Sequence, residues 1–120
     1  MVSLYKWFLV FCLLVLGGCA TNNRPLQLIS GAGPIYPAAA KAQNIEGYVV
    51  VQYDVNVQGQ VVNAQVVESH PTNIFDMAAI KAVSSWKFNA PRMAGKAVPA
   101  ENIRSRVQFK LGESDEYSNY

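Results

Sequence analysis

The stretch from Tyr48 to Val57, YVVVQYDVNV, leaves this chain little choice in how it folds. Val49, Val51, Tyr53, Val55 and Val57 share one face, and Tyr48, Val50, Gln52, Asp54 and Asn56 share the other. A period of two places successive side chains on opposite faces of a strand, so the all-apolar face demands cover. Valine supports the extended backbone because its branched Cβ stiffens the side chain. Gln58-Gly59 follows as a turn and predicts a hairpin with a second strand over about Gln60 to Glu68. There the apolar residues Val61, Val62, Ala64, Val66 and Val67 break strict alternation, and a β-bulge is expected.

Helices on either side supply the cover. Ile35-Tyr36-Pro37 opens the folded part, and Pro37 suits the first turn of a helix, where a missing N–H costs nothing. The alanine-rich PAAAKAQN predicts a short helix ending at Asn44, with Gly47 starting the next element. Pro71-Thr72-Asn73 breaks the sheet; Thr72 or Asn73 is expected to cap a helix with Asp76 in its first turn. Phe75, Ala78, Ala79, Ala82, Val83 and Trp86 then fall on one helical face. Lys87 to Pro91 reads as a short extended exit and Arg92 to Glu101 as a loop around Gly95 and Pro99.

The last strand, Asn102 to Leu111, alternates again. Ile103, Ser105, Val107, Phe109 and Leu111 point one way, and Arg104, Arg106, Gln108 and Lys110 the other. The order helix, strand, strand, helix, strand predicts an α+β fold, a three-stranded antiparallel sheet with two helices packed on one face. Tyr48–Val57 is its expected centre. The cation-bearing final strand is expected at an edge, where charge discourages random pairing.

The front of the chain has a different character. Lys6 precedes an apolar run from Trp7 to Leu16, and Gly17 and Gly18 follow, the layout of a secretory signal. The 14 uncharged residues from Trp7 to Ala20 fall short of the roughly 20 that a spanning helix needs. Leu16-Gly17-Gly18-Cys19 resembles the lipobox of bacterial lipoproteins. That resemblance implies cleavage before Cys19, a diacylglycerol on its sulfur and an acyl chain such as palmitate on the new amino terminus. Ala20, where an aspartate tends to retain a lipoprotein at the inner membrane, implies the periplasmic face of the outer membrane. The expected organisation is a signal peptide over 1–18, a lipidated terminus and short linker over 19–33, a domain over 34–112, and a disordered acidic tail, ESDEYSNY, over 113–120. The linker from Ala20 to Gly33 reaches about 50 Å when extended.

Charge and side-chain inventory narrow the function. Of 10 basic and 8 acidic residues, Lys6 leaves with the signal. The near-balance that remains gives no case for nucleic acid or an acidic substrate. Cys12 leaves too and Cys19 is blocked by lipid, so no disulfide and no cysteine metal site is expected. No cofactor is called for. His70, beside Ser69 and Glu68, is the only histidine, but strand neighbours point apart, so no nucleophile–base pair forms. Asp54 has no partner carboxylate at useful spacing and reads as a solvated or hydrogen-bonded face residue. Gly31-Ala32-Gly33 lacks the strand-and-helix frame of a nucleotide loop. The expectation is that the chain is not an enzyme.

From about Gly33 to Leu111 the chain resembles the C-terminal domain of the TonB family. The resemblance lies in the order of Tyr36-Pro37, Gly47, Val49, Val51, Tyr53, Val55, Gly59, Val61, Phe75-Asp76, Ala79, Trp86, Phe88 and Pro91, followed by Gly95-Lys96, Val107 and Phe109. It implies a domain that binds the short TonB box of an outer-membrane transporter as an added strand at a sheet edge. An edge offers unpaired N–H and C=O groups that an extended peptide satisfies with little sequence demand. The binding residues are then expected along the last strand, Ile103, Arg104, Ser105, Arg106, Val107, Gln108, Phe109 and Lys110, with Ile35 and Tyr36 beside it. Tyr36 reads first as a core or helix-start anchor and second as a contact.

Three departures separate the chain from TonB energy transducers. It has a cleavable lipoprotein signal in place of a membrane helix, a short linker in place of a long Pro-rich one, and Gly33 and Ile35 where the family carries glutamines around the proline. The expected function is therefore a periplasm-facing lipoprotein that takes up an extended segment of an outer-membrane transporter or another periplasmic protein. A transducer or its accessory, coupling the inner-membrane proton motive force to transport, is the alternative. A structural homodimer paired through the edge is the second.

Overall fold

The computed structural model describes residues 22–112; the signal segment, Cys19 and the acidic tail lie outside the described residues. The elements run β1 (Gln27–Ser30), α1 (Ala38–Ala42), β2 (Gly47–Val55), β3 (Val61–His70), α2 (Asp76–Ser84), β4 (Lys87–Asn89), β5 (Arg92–Met93), β6 (Lys96–Ala97) and β7 (Ala100–Phe109). The main sheet is antiparallel with strand order β3-β2-β7, so the valine-rich strand is central and the cation-bearing strand is at an edge.

The core follows from the alternation. Val49, Val51, Tyr53 and Val55 are buried on one face of β2, and Val107 and Phe109 of β7 join them. Both helices cover this face, with Ala40 from α1 and Ala79 and Val83 from α2 in the same buried cluster. Small alanines let the helix backbone approach the sheet, and aromatic rings fill the two ends. At one end Phe75 stacks on Phe109 at 4.3 Å, and Tyr36 meets both rings edge-on at 5.6 and 5.8 Å. At the other, Trp86 and Phe88 lie 6.4 and 5.9 Å from Tyr53. Each such ring contributes about 1.5–3 kcal/mol by leaving water.

Two glycines let backbones touch. Gly59, in the β2–β3 turn at φ +81°, has Phe88 O only 1.8 Å from where a Cβ would sit. Its carbonyl accepts the Phe88 N–H at 2.9 Å. A Cβ on Gly47 would lie 2.1 Å from His70 O.

The structure corrects several boundaries. β2 ends at Val55, and Val57 lies in the turn, 46% exposed. The cap of α2 is Phe75, without a side-chain hydrogen bond; Asn73, at φ 65°, forms part of the preceding turn and neither it nor Thr72 caps. The expected loop over 92–101 contains the β5–β6 hairpin and the start of β7, and the exit at 87–91 contains β4. The expected linker over 19–33 contains β1, which pairs with β4 as Gln27↔Asn89, Leu28↔Phe88 and Ser30↔Lys87. These strands are two to four residues long, too short for a period to register.

Candidate functional site

The edge formed by β7 collects the residues expected to bind. From Ile103 to Phe109 it pairs with Tyr53 to Gly47 residue by residue, without interruption. Val107 and Phe109 are buried, Ile103 and Ser105 are half-buried, and Arg104, Arg106, Gln108 and Lys110 are exposed. The Ser105 hydroxyl meets the Tyr53 hydroxyl at 2.9 Å. Among the described residues no strand pairs with the other side of β7. Of the two flanking candidates, Ile35 is 76% exposed. Tyr36 is a core anchor: its hydroxyl donates to Ile45 O and its ring packs on Phe75 and Phe109, while burial raises its pKa. Cys19 lies outside the described residues.

On the solvent face, side chains tie the three strands together. The Arg106 guanidinium stands 3.9 Å from the Tyr48 ring centroid. The Tyr48 hydroxyl donates to Glu68 Oε1 at 2.7 Å, a bond that raises the tyrosine pKa. His70 stacks on the same ring at 6.2 Å. Arg104 Nε donates to Gln52 Oε1 at 3.0 Å.

Asp54, expected as a solvated or hydrogen-bonded face residue, is hydrogen-bonded to both neighbouring strands. It sits on the central strand between two bulges, one in each neighbour. Between Gln52↔Gln65 and Asp54↔Val62, β3 takes an extra residue; between Tyr53↔Ile103 and Val55↔Ala100, β7 does the same. Asn63 and Asn102 occupy these irregularities with φ 55° each. Asp54 Oδ2 accepts from Asn63 Nδ2 at 3.1 Å, and Oδ1 accepts the Asn102 N–H at 2.9 Å. These bonds, that to Asn102 first, hold its carboxyl below the ordinary value. The legible signal was the asparagine at each site, since asparagine tolerates left-handed backbone better than other side chains.

A Phe–Phe–Tyr cluster at one end of the core, a central valine strand and a regular outer strand in the order β3-β2-β7 meet a family pattern. The family model of the Gram-negative bacterial TonB protein C-terminal matches residues 32–111. This chain belongs to the TonB C-terminal family. The TonB protein of Yersinia enterocolitica is 35% identical over 99 residues, covering 82% of this chain and 36% of the relative. That of Salmonella typhimurium is 40% identical over 85 residues, 71% of this chain and 33% of the relative. The chain thus spans about a third of the length of the curated TonB proteins it matches. Among solved structures, the Pseudomonas aeruginosa TonB C-terminal domain superposes with a TM-score of 0.64 at 30% identity, covering 78% of this chain and 93% of that one. The TonB2 protein of Vibrio anguillarum gives 0.57 at 26% identity, covering 80% and 91%. The TonB-family fold is therefore present with its sheet and both helices. Among the described residues, no helix is long and apolar enough to cross a membrane.

Proposed function

We propose that this TonB-family domain is a receptor for an extended protein segment, held at the periplasmic face of the outer membrane by lipid on Cys19. The segment joins the sheet as a strand along β7. The observation that carries this reading is the uninterrupted register of Ile103–Phe109 on a strand that ends the sheet order. A regular edge presents its backbone groups at strand spacing, and backbone bonds then supply affinity. Arg104 and Arg106 on the exposed face steer acidic segments toward it. The partner class expected from the family is the N-terminal segment of an outer-membrane transporter, with other periplasmic segments as the wider set. The lipid anchor is supported by Leu16-Gly17-Gly18-Cys19 at the end of an apolar run.

Family membership favours a second reading, a transducer or an accessory to one. A lipid on Cys19 argues for the accessory form, since a domain held at one membrane cannot itself span to a motor in the other. A photoreactive residue at position 108, followed by mass spectrometry of the captured peptide, tests both. Capture of a transporter's N-terminal segment supports strand uptake. Capture of a second copy of this chain alone makes the edge a dimer seam and overturns the receptor reading. Deletion that slows uptake of large chelated-iron or vitamin-type substrates supports a place in transport, and normal uptake counts against it.

A further inference from the structure

The N-terminal segment is fastened to one corner of the domain. Arg24 and Arg92 exchange backbone hydrogen bonds at 2.9 and 2.8 Å. Beyond them the chain reaches the tip of the β5–β6 hairpin, where Ala94 and Gly95 form the turn at φ 51° and 79°. Gly95 N–H donates to Asn22 O at 3.1 Å, and Ala94 N–H donates to Asn23 Oδ1 at 2.9 Å. The hairpin tip is therefore the part of the domain bonded to Asn22, and only Ala20 and Thr21 separate Asn22 from Cys19. Three Cα-to-Cα steps span at most about 11 Å.

This corner has a charge of one sign. Residues 22–31 and 87–100 carry Arg24, Lys87, Arg92 and Lys96 and no aspartate or glutamate. Lys87, Arg92 and Lys96 are exposed, and Met93 between the last two is 62% exposed. A lipidated Cys19 sits at headgroup level, and the headgroup layer is itself about 5–8 Å deep on each side of the hydrocarbon. A tether of that length keeps Asn22, and the hairpin tip bonded to it, within about 11 Å plus one hydrogen bond of Cys19.

We propose that the β5–β6 hairpin docks on the phospholipid leaflet that holds the Cys19 lipid, with Arg92 and Lys96 on anionic headgroups and Met93 entering the interface. This rests on the lipid-anchor reading given above. It gives the domain a fixed face toward the membrane in place of a long tether. Each cation near an anionic leaflet favours the docked state by about fivefold, and salt weakens that attraction within a Debye length.

The test uses the full lipidated chain, purified from membranes and reconstituted in vesicles of phosphatidylethanolamine and phosphatidylglycerol. A nitroxide is attached at Met93→Cys in one sample and at Met77→Cys, on α2, in another; Met77 is 86% exposed. Collision with a water-soluble relaxant is expected to be several-fold lower at position 93 than at position 77. Adding R92Q and K96Q is expected to restore access at position 93, the docked-to-undocked ratio falling about fivefold for each charge removed. Equal access at both positions on protein whose intact mass includes the lipid overturns the docking and leaves the anchor standing. An intact mass without lipid overturns both. Reduced access at position 93 that R92Q and K96Q leave unchanged overturns the headgroup contact.

Discussion

The two edges of the main sheet are built differently. β7 carries two buried residues, Val107 and Phe109, and runs in register with β2 for its whole second part. β3 has no buried residue and loses register with β2 at two places, near Val67 and near Asn63. Bulges bend and twist an edge away from straight pairing, a common way of protecting it. β3 is thus the irregular edge, and Val62 and Val67 are partly exposed on it. β7 keeps the regular spacing that strand addition needs, and cations on its solvent face moderate it. A single sheet thus has one edge with two breaks in register and one that runs unbroken from Ile103 to Phe109.

The sharpest way to break this comparison is through the core. Phe109→Ala should cost about 3–5 kcal/mol, because it removes a ring stacked on Phe75 and leaves a cavity. Val66→Ala, on half-buried β3, should cost about 1 kcal/mol. Urea unfolding measures both, and equal costs would mean that the edges are anchored alike. Next come the bulges. Asn63→Val and Asn102→Val each place a branched side chain at φ 55°, which should cost about 1–2 kcal/mol. A smaller loss at Asn63 than at Asn102 would show that the β3 irregularity relaxes readily, and that its edge is less well protected.

A smaller effect is expected at Arg106→Ala, since the Arg106–Tyr48 contact is exposed. Its loss should be below that at Asn63 in the same unfolding assay and should shrink further in high salt. The finest probe is acid. Asp54 has a folded pKa below its unfolded one, lowered by its bonds to Asn102 and Asn63. Its contribution is therefore complete above the unfolded value and is lost as pH falls through the folded one, below about pH 4. Wild type should lose more stability than Asp54→Asn over that window. Parallel acid profiles would remove Asp54 as the joint between the two bulged strands.

The comparison also separates what the sequence made legible from what it hid. β2, its central place and the inward–outward alternation of β7 could be read because each spans enough residues to repeat its period. In β3 the bulges at Asn63 and Val67 scramble the period, so its irregularity was readable while the assignment of faces was not. β1, β4 and the β5–β6 hairpin were hidden for another reason. Gln27–Ser30 becomes a strand only because Lys87–Asn89 lies beside it, a pairing that no local pattern encodes. Phe75 as the cap of α2 was concealed by Thr72 and Asn73, better capping residues placed where the chain is still turning. For the candidate site, the strand and its exposed cations were legible; the contrast between the two edges needed the register.

The clasp between the N-terminal segment and the β5–β6 hairpin also sets an order in time. Asn22 and Arg24 leave the ribosome long before residues 90 to 95, to which they bond. The bonds that hold them cannot form until residues 90 to 95 have been made. The clasp therefore closes late in synthesis, although one of its two partners is among the first parts of the domain to be made.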